Sequence, residues 1–271
     1  MMTTAAALEA LHFEAPPINE VVCGLMFEPL KELLAPHLGI LWERYKPTFA
    51  TCKELAPLAV QIELPAGTIA GAEITDVPSL PRIWFEETGG NGLIQVQRDR
   101  FHYNWRRISA DDEYPHFEKV FGLFKAKLET FRAFVSEIRP GELVPKQLEI
   151  TYVNHIPLAE GWHSVADMGD VFSDFSWKRD EARMQPEAVN WRVSFALPEG
   201  TGRLHANVRS ASRIPDNKQI LLFDLTARGI GEDRTAEGME NWFVNAHSQI
   251  VRAFVELTSP RMQEAVWRQM K

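Results

Sequence analysis

The stretch Leu93–Arg107, LIQVQRDRFHYNWRR, decides the fold. No single alternation of apolar and polar residues sorts it, so it does not read as one strand. Folded back as a hairpin about Asp99 and Arg100, it sorts at once. Ile94 and Val96 then share a face with Tyr103 and Trp105. Gln95 and Gln97 share the opposite face with His102, Asn104 and Arg106. Side chains alternate between the two faces of a sheet, so this agreement specifies an antiparallel pair. Asp-Arg is not a favoured dipeptide for a tight primed turn, so the faces carry the prediction and the turn residues do not.

Working outward, RIWFEE (Arg82–Glu87) is a preceding strand and TGGNG (Thr88–Gly92) the turn after it. Upstream, EVVCGLMF (Glu20–Phe27) is apolar on both alternating sets, as an interior strand is. Leu30, Leu33, Leu34, Leu38, Leu41, Trp42 and Tyr45 follow at helical spacing, with Pro36 and Gly39 predicting a kink or two short helices. Residues 47–80 read as a loop with a short strand at Val60–Leu64. Downstream, Tyr114–Arg139 is a long amphipathic helix with Pro115 in its first turn. Gln147–Ile156 is a strand, and residues 158–188 follow no regular period. Three strands come next: Trp191–Leu197, Arg203–Arg209 and Gln219–Ala227. Gly238–Thr258 is a second long helix, and Ser259-Pro260 opens a last short one.

The fold class is therefore α+β, with antiparallel strands packed against long helices. Both halves run strand, connection, several strands, long helix. RAFVSEI (Arg132–Ile138) and RAFVEL (Arg252–Leu257) close the two helices. The pattern predicts a duplication: a loose arm over 1–15, a first half over 16–141, a second half over 142–258, and a short C-terminal helix over 259–271.

Composition narrows the function. Apolar residues make up 45% and charged residues 24%, with a net charge of -8. That balance suits a globular chain and opposes general attraction to nucleic acid or anionic lipid. Two cysteines, Cys23 and Cys52, suit a reducing compartment. No basic start and apolar core of a signal peptide appear, nor any membrane-spanning run, so the expected location is cytoplasmic. The histidines are scattered, without Cys-x-x-Cys or His-Glu-x-x-His, and no metal or cofactor is expected. His102 and His205 are the one pair that a sheet face could bring together. There is no phosphate loop and no nucleophile elbow.

What stands out is the polar face of the sheet: Gln95, Gln97, His102, Asn104, Arg106, Arg192, Ser194, Arg203, His205, Asn207 and Arg209. Amides, imidazoles and guanidiniums hydrogen-bond to planar or anionic groups, whereas a bland solvated face carries more Lys, Glu and Thr. The same residues would equally serve to knit the sheet to whatever covers it.

The strings LIQVQRDRFHYNWR, ELVPKQLEITYVNHI and PPINEVVCGLMFEPL resemble a sporadically distributed bacterial protein family, over Pro16 to about Trp267. No activity is established for that family. The resemblance implies an accessory gene and supplies no catalytic residues.

The leading expectation is a binding or regulatory module that takes a small anionic or nucleotide-like ligand, or a protein partner, on Gln95, Gln97, His102, Asn104, Arg106, Arg192, His205, Asn207 and Arg209. The alternatives are an enzyme acting on a nucleotide or phosphoester through His102 or His205, and nucleic-acid binding through the arginine-rich hairpin. Met262, Val266 and Trp267 predict self-association or a partner at the C-terminal end.

Overall fold

The computed structural model describes residues 12–63, 80–177, 183–214 and 216–270. Two short strands, β1 (His12–Phe13) and β11 (Gln269–Met270), pair with each other near the ends of the chain. Nine more make one antiparallel sheet: β2 (Ile18–Phe27), β3 (Thr51–Leu55), β4 (Arg82–Glu86), β5 (Gly92–Gln97), β6 (Arg100–Arg106), β7 (Pro145–Pro157), β8 (Asn190–Ala196), β9 (Gly202–Ser212) and β10 (Gln219–Gly229). Their order is β3-β4-β5-β6-β2-β7-β10-β9-β8. The sheet is continuous through its central pair, β2 and β7, which carry the opening strands of the two expected halves.

The helices are α1 (Ala35–Tyr45), α2 (Phe117–Ile138), α3 (Met168–Val171) and α4 (Ala236–Leu257). The two long ones lie against the same face of the sheet, α2 on β6 and β2, α4 on β7 and β10. That face is apolar because one alternating set of each strand is: Phe101, Tyr103 and Trp105 of β6, Leu148, Ile150 and Tyr152 of β7, Phe223, Leu225 and Ala227 of β10. Phe131 of α2 is fully buried between Phe27 and Phe101, with ring centroids 5.7 and 5.1 Å away. The exposed side of α2 offers a way to stabilise it. Gly122 has nothing within 4 Å of where a Cβ would stand. Gly122→Ala should raise stability by about 0.5–1 kcal/mol, read as a higher urea midpoint at unchanged slope.

Several expectations are corrected in detail. The hairpin turns on Arg98 and Asp99, with Gln97 opposite Arg100 and Gln95 opposite His102. This moves the turn by one residue and the pairing by two, so every side chain keeps its face. Pro36 opens α1 and causes no kink. Helix α2 begins at Phe117, beyond Pro115, because His116 takes a positive φ of 65°, which a helical residue cannot have. Residues 56–62 form no strand, Leu64 lies outside the described residues, and the strand of this region is β3. The end of the N-terminal arm is tied down. Glu14 and Ala15 donate to the carbonyls of Arg268 and Trp267, and Phe13 packs edge-on against Phe254 and Trp267. The last helix is a π turn, Met262–Val266. Its Met262 and Trp267 are buried in the chain's own core, so they do not form an open contact surface.

Candidate functional site

The polar face forms as the alternation demands, and its residues fall into rows across the strands. One row runs Gln95, His102, Gly24, Glu149, Arg228, Arg203. The next runs Asn104, Val22, Thr151, Thr226, His205, Ser194. A third carries Arg106, Glu20, Val153, Asp224, Asn207, Arg192. His102 and His205 do not meet. Four strand spacings separate β6 from β9, about 19 Å at ~4.8 Å each.

Much of this face is occupied by the chain itself. In the first half, Gln95 accepts from Arg82 and from the Trp84 indole and donates to Asn104, which donates to Glu20. A strap without regular secondary structure, residues 56–63, reaches from β5 to β9. Gln97 accepts from the Leu58 amide and donates to its carbonyl. Gln147, not among the expected residues, does the same one strap turn further along: it accepts from Glu63 N and donates to Gln61 O. The arginines of the hairpin are equally engaged. Arg98 donates to Leu33 O, Arg100 to Asp99 and Ala59 O, and Arg106 to Glu86 while lying over Trp84. The hairpin is therefore not an open basic patch. The second half is more open: Arg192, Ser194 and Arg209 are exposed, and Asn207 is half-buried.

Charge on this face is held in specific pairs. Arg228 donates to Glu149 at 2.5 Å, both side chains largely covered. Burial pushes the Glu149 carboxyl up, but Arg228, with His102 and Arg100, more than offsets this and holds it below its ordinary range. His102 lies against Gly24 so closely that a Cβ there would strike its ring. Burial lowers its pKa to about 4, and its Nε2 has no partner. Among the described residues, no cluster of three His, Cys, Asp or Glu is placed to hold a metal ion, and no helix is long and apolar enough to cross a membrane.

The opposite face holds what the sequence did not single out: a cavity of about 650 Å³ between α2 and α4. Phe117 and Phe121 wall it from α2, Val244 and His247 from α4, and Phe13 with Phe254 closes one end. Lys125 and Glu240, 2.8 Å apart, bridge the two helices at its edge. Three polar groups of its lining are linked. The Tyr114 hydroxyl meets that of Tyr152 at 2.9 Å, and the latter meets His247 Nδ1 at 3.0 Å. The His247 ring stacks on Phe117 at 4.1 Å. Burial lowers the His247 pKa to about 4 and raises both phenols above their ordinary value, so all three are neutral at pH 7. Asn154, 1% exposed, donates to Phe223 O, and its buried Oδ1 has no partner.

No family model, curated protein or solved structure matches the chain. The site must therefore be read from its own chemistry. A sequence signal for it existed. Asn154 falls in the apolar phase of its strand, between Tyr152 and Ile156. His247 falls on the apolar stripe of α4, four after Phe243 and three before Ile250. A polar residue in an apolar phase is more informative than a polar residue in a polar one.

Proposed function

We propose that the chain is a binding module for a small, uncharged, mainly apolar ligand held between α2 and α4. The observation that carries this reading is an apolar-walled cavity in which the linked groups Tyr114, Tyr152 and His247 are neutral at physiological pH, with the charges of Lys125 and Glu240 paired at its edge. Ligand sites are typically of this size and kind: hydrophobic walls with a few convergent polar groups. The unpartnered Asn154 Oδ1 adds an acceptor for a ligand N–H or O–H, since a buried acceptor left alone costs about 1–3 kcal/mol. An anionic ligand fits this cavity poorly, because the lysine of its lining, Lys125, is paired with Glu240 and Glu118 adds a negative charge. The amide-rich sheet face, by contrast, is largely engaged with its own strap, which favours a structural role for Gln95, Gln97 and Asn104. The free, exposed Cys52 thiol supports a reducing, cytoplasmic setting. The mirrored strand orders outward from β2 and β7 support descent by internal duplication.

The test is a thermal-shift comparison of neutral aromatic and aliphatic amides and alcohols with their carboxylate counterparts. Neutral compounds should stabilise the chain, by about 2.7 kcal/mol at a hundredfold excess over Kd, and carboxylates should not. Val244→Trp, at an exposed lining position, should abolish the shift without lowering the melting temperature of the free protein. Equal shifts with and without that side chain would place the ligand elsewhere.

A further inference from the structure

A second site lies on the open end of the polar face and does not depend on the cavity. Ser194 of β8 stands directly opposite His205 of β9. Its Oγ is 2.7 Å from His205 Nδ1, and His205 Nε2 is 2.6 Å from Glu63 Oε1. The three residues come from two strands and the strap, and form one line: hydroxyl, imidazole, carboxylate.

The tautomer follows from the partners. An ionised carboxylate can only accept, so Glu63 fixes the proton on Nε2. Nδ1 is then an acceptor, and the serine must direct its O–H to it. This is the arrangement in which an imidazole acts as base toward a nucleophilic hydroxyl, with the carboxylate orienting the ring. Covering differs along the line as that role requires. The side chains of His205 and Glu63 are 9% and 6% exposed, while Ser194 lies open on the edge strand. Burial lowers the His205 pKa, against the pull of Glu63, so the ring is neutral and able to accept a proton. Arg192, two residues before Ser194 on the same face, is exposed, and Arg203 sits two residues before His205 with Glu63 as a partner.

We propose that Ser194, His205 and Glu63 form a nucleophilic site for acyl transfer from small esters that carry a negative charge. Ser194 Oγ adds to the ester carbonyl carbon while His205 Nδ1 takes its proton. The adduct collapses with cleavage of the ester C–O bond, and the departing alcohol takes that proton back. Water then attacks the acyl-serine, losing its proton to His205, and release of the carboxylic acid restores the serine hydroxyl. Arg192 supplies the positive charge that selects an anionic ester.

A fluorophosphonate probe tests the nucleophile directly. The serine oxygen bonds to phosphorus, fluoride leaves, and the proton passes to His205. The intact chain should take up one equivalent, mapped by peptide mass to Ser194, and Ser194→Ala should take up none. His205→Gln should slow labelling at least 100-fold, and Glu63→Gln should slow it about tenfold or more. Ser194 is exposed, so its alanine variant tests chemistry without disturbing the fold. Hydrolysis of a nitrophenyl hemisuccinate should exceed that of the neutral nitrophenyl acetate, with the preference lost in Arg192→Gln. Labelling no faster than in the urea-unfolded chain, or spread over other serines, would overturn the proposal and leave the three residues as a tie that fastens the strap to the sheet.

Discussion

Between pH 7 and pH 5 the chain should lose about 2 kcal/mol of stability for each of His102 and His247. His102 is buried and His247 is half-buried, stacked on Phe117, and loss of water lowers each to about 4 from an ordinary 6.5. Between those values the unfolded chain takes up a proton that the folded chain refuses. The contribution is therefore complete above the unfolded value and drains away as pH falls toward the folded one, below which these two groups cost nothing further. His155 is also lowered to about 4 by burial, with Arg213 and Arg107 adding to it, but it is more exposed and adds less. Glu20 and Asp224, whose carboxyls burial pushes up, act in the opposite sense. The decisive comparison is thus between variants. Urea midpoints of His247→Gln should fall less steeply from pH 7 to pH 5 than those of the parent chain. Identical slopes would mean that the ring is solvated and titrates normally.

Arg228→Ala should cost about 3–5 kcal/mol at pH 7. Glu149 of β7 accepts from Arg228 of β10, and neither side chain is more than one-fifth exposed. Removing the guanidinium leaves a covered carboxylate beside one remaining cation, Arg100, since His102 is neutral at pH 7. Without its main partner, burial dominates, and the Glu149 carboxyl moves above its ordinary range. The variant should then regain part of its deficit as pH falls through that raised value, the reverse of the histidine trend. The double variant Arg228→Met, Glu149→Leu should recover most of the loss, because an apolar pair of similar volume carries no desolvation cost. Urea unfolding of the three chains measures this. A loss below about 1 kcal/mol for Arg228→Ala would show that water reaches the pair.

The parts of the fold that could be read from the residues are those with a strong period. Residues 93–107 sorted into faces because a buried face punishes any odd slip, while the even slip in the actual turn changes nothing about burial. The long helices announced themselves by stripes such as Phe117, Val120, Phe121, Phe124 and Leu128. Strand β3 did not, because TCKEL lies exposed at a sheet edge and has no buried alternation to display. The polar face was legible as a face, yet not as an occupied one. What fills it is the backbone of residues 58–63, and a backbone has no side-chain signature. The cavity has a fainter signature than the polar face, because its polar residues, Asn154 and His247, are single interruptions of apolar phases.

The pairing of β1 with β11 bears on the order in which the protein is made. Phe13 forms part of the cavity wall and is held there by Trp267, whose ring also leans on Phe254. The bracing residue lies more than two hundred positions later than the one it braces. Most of the sheet precedes Trp267 along the chain, but that wall is complete only once Trp267 has joined it. A chain cut short before Trp267 would leave Phe13, on that wall, without its prop.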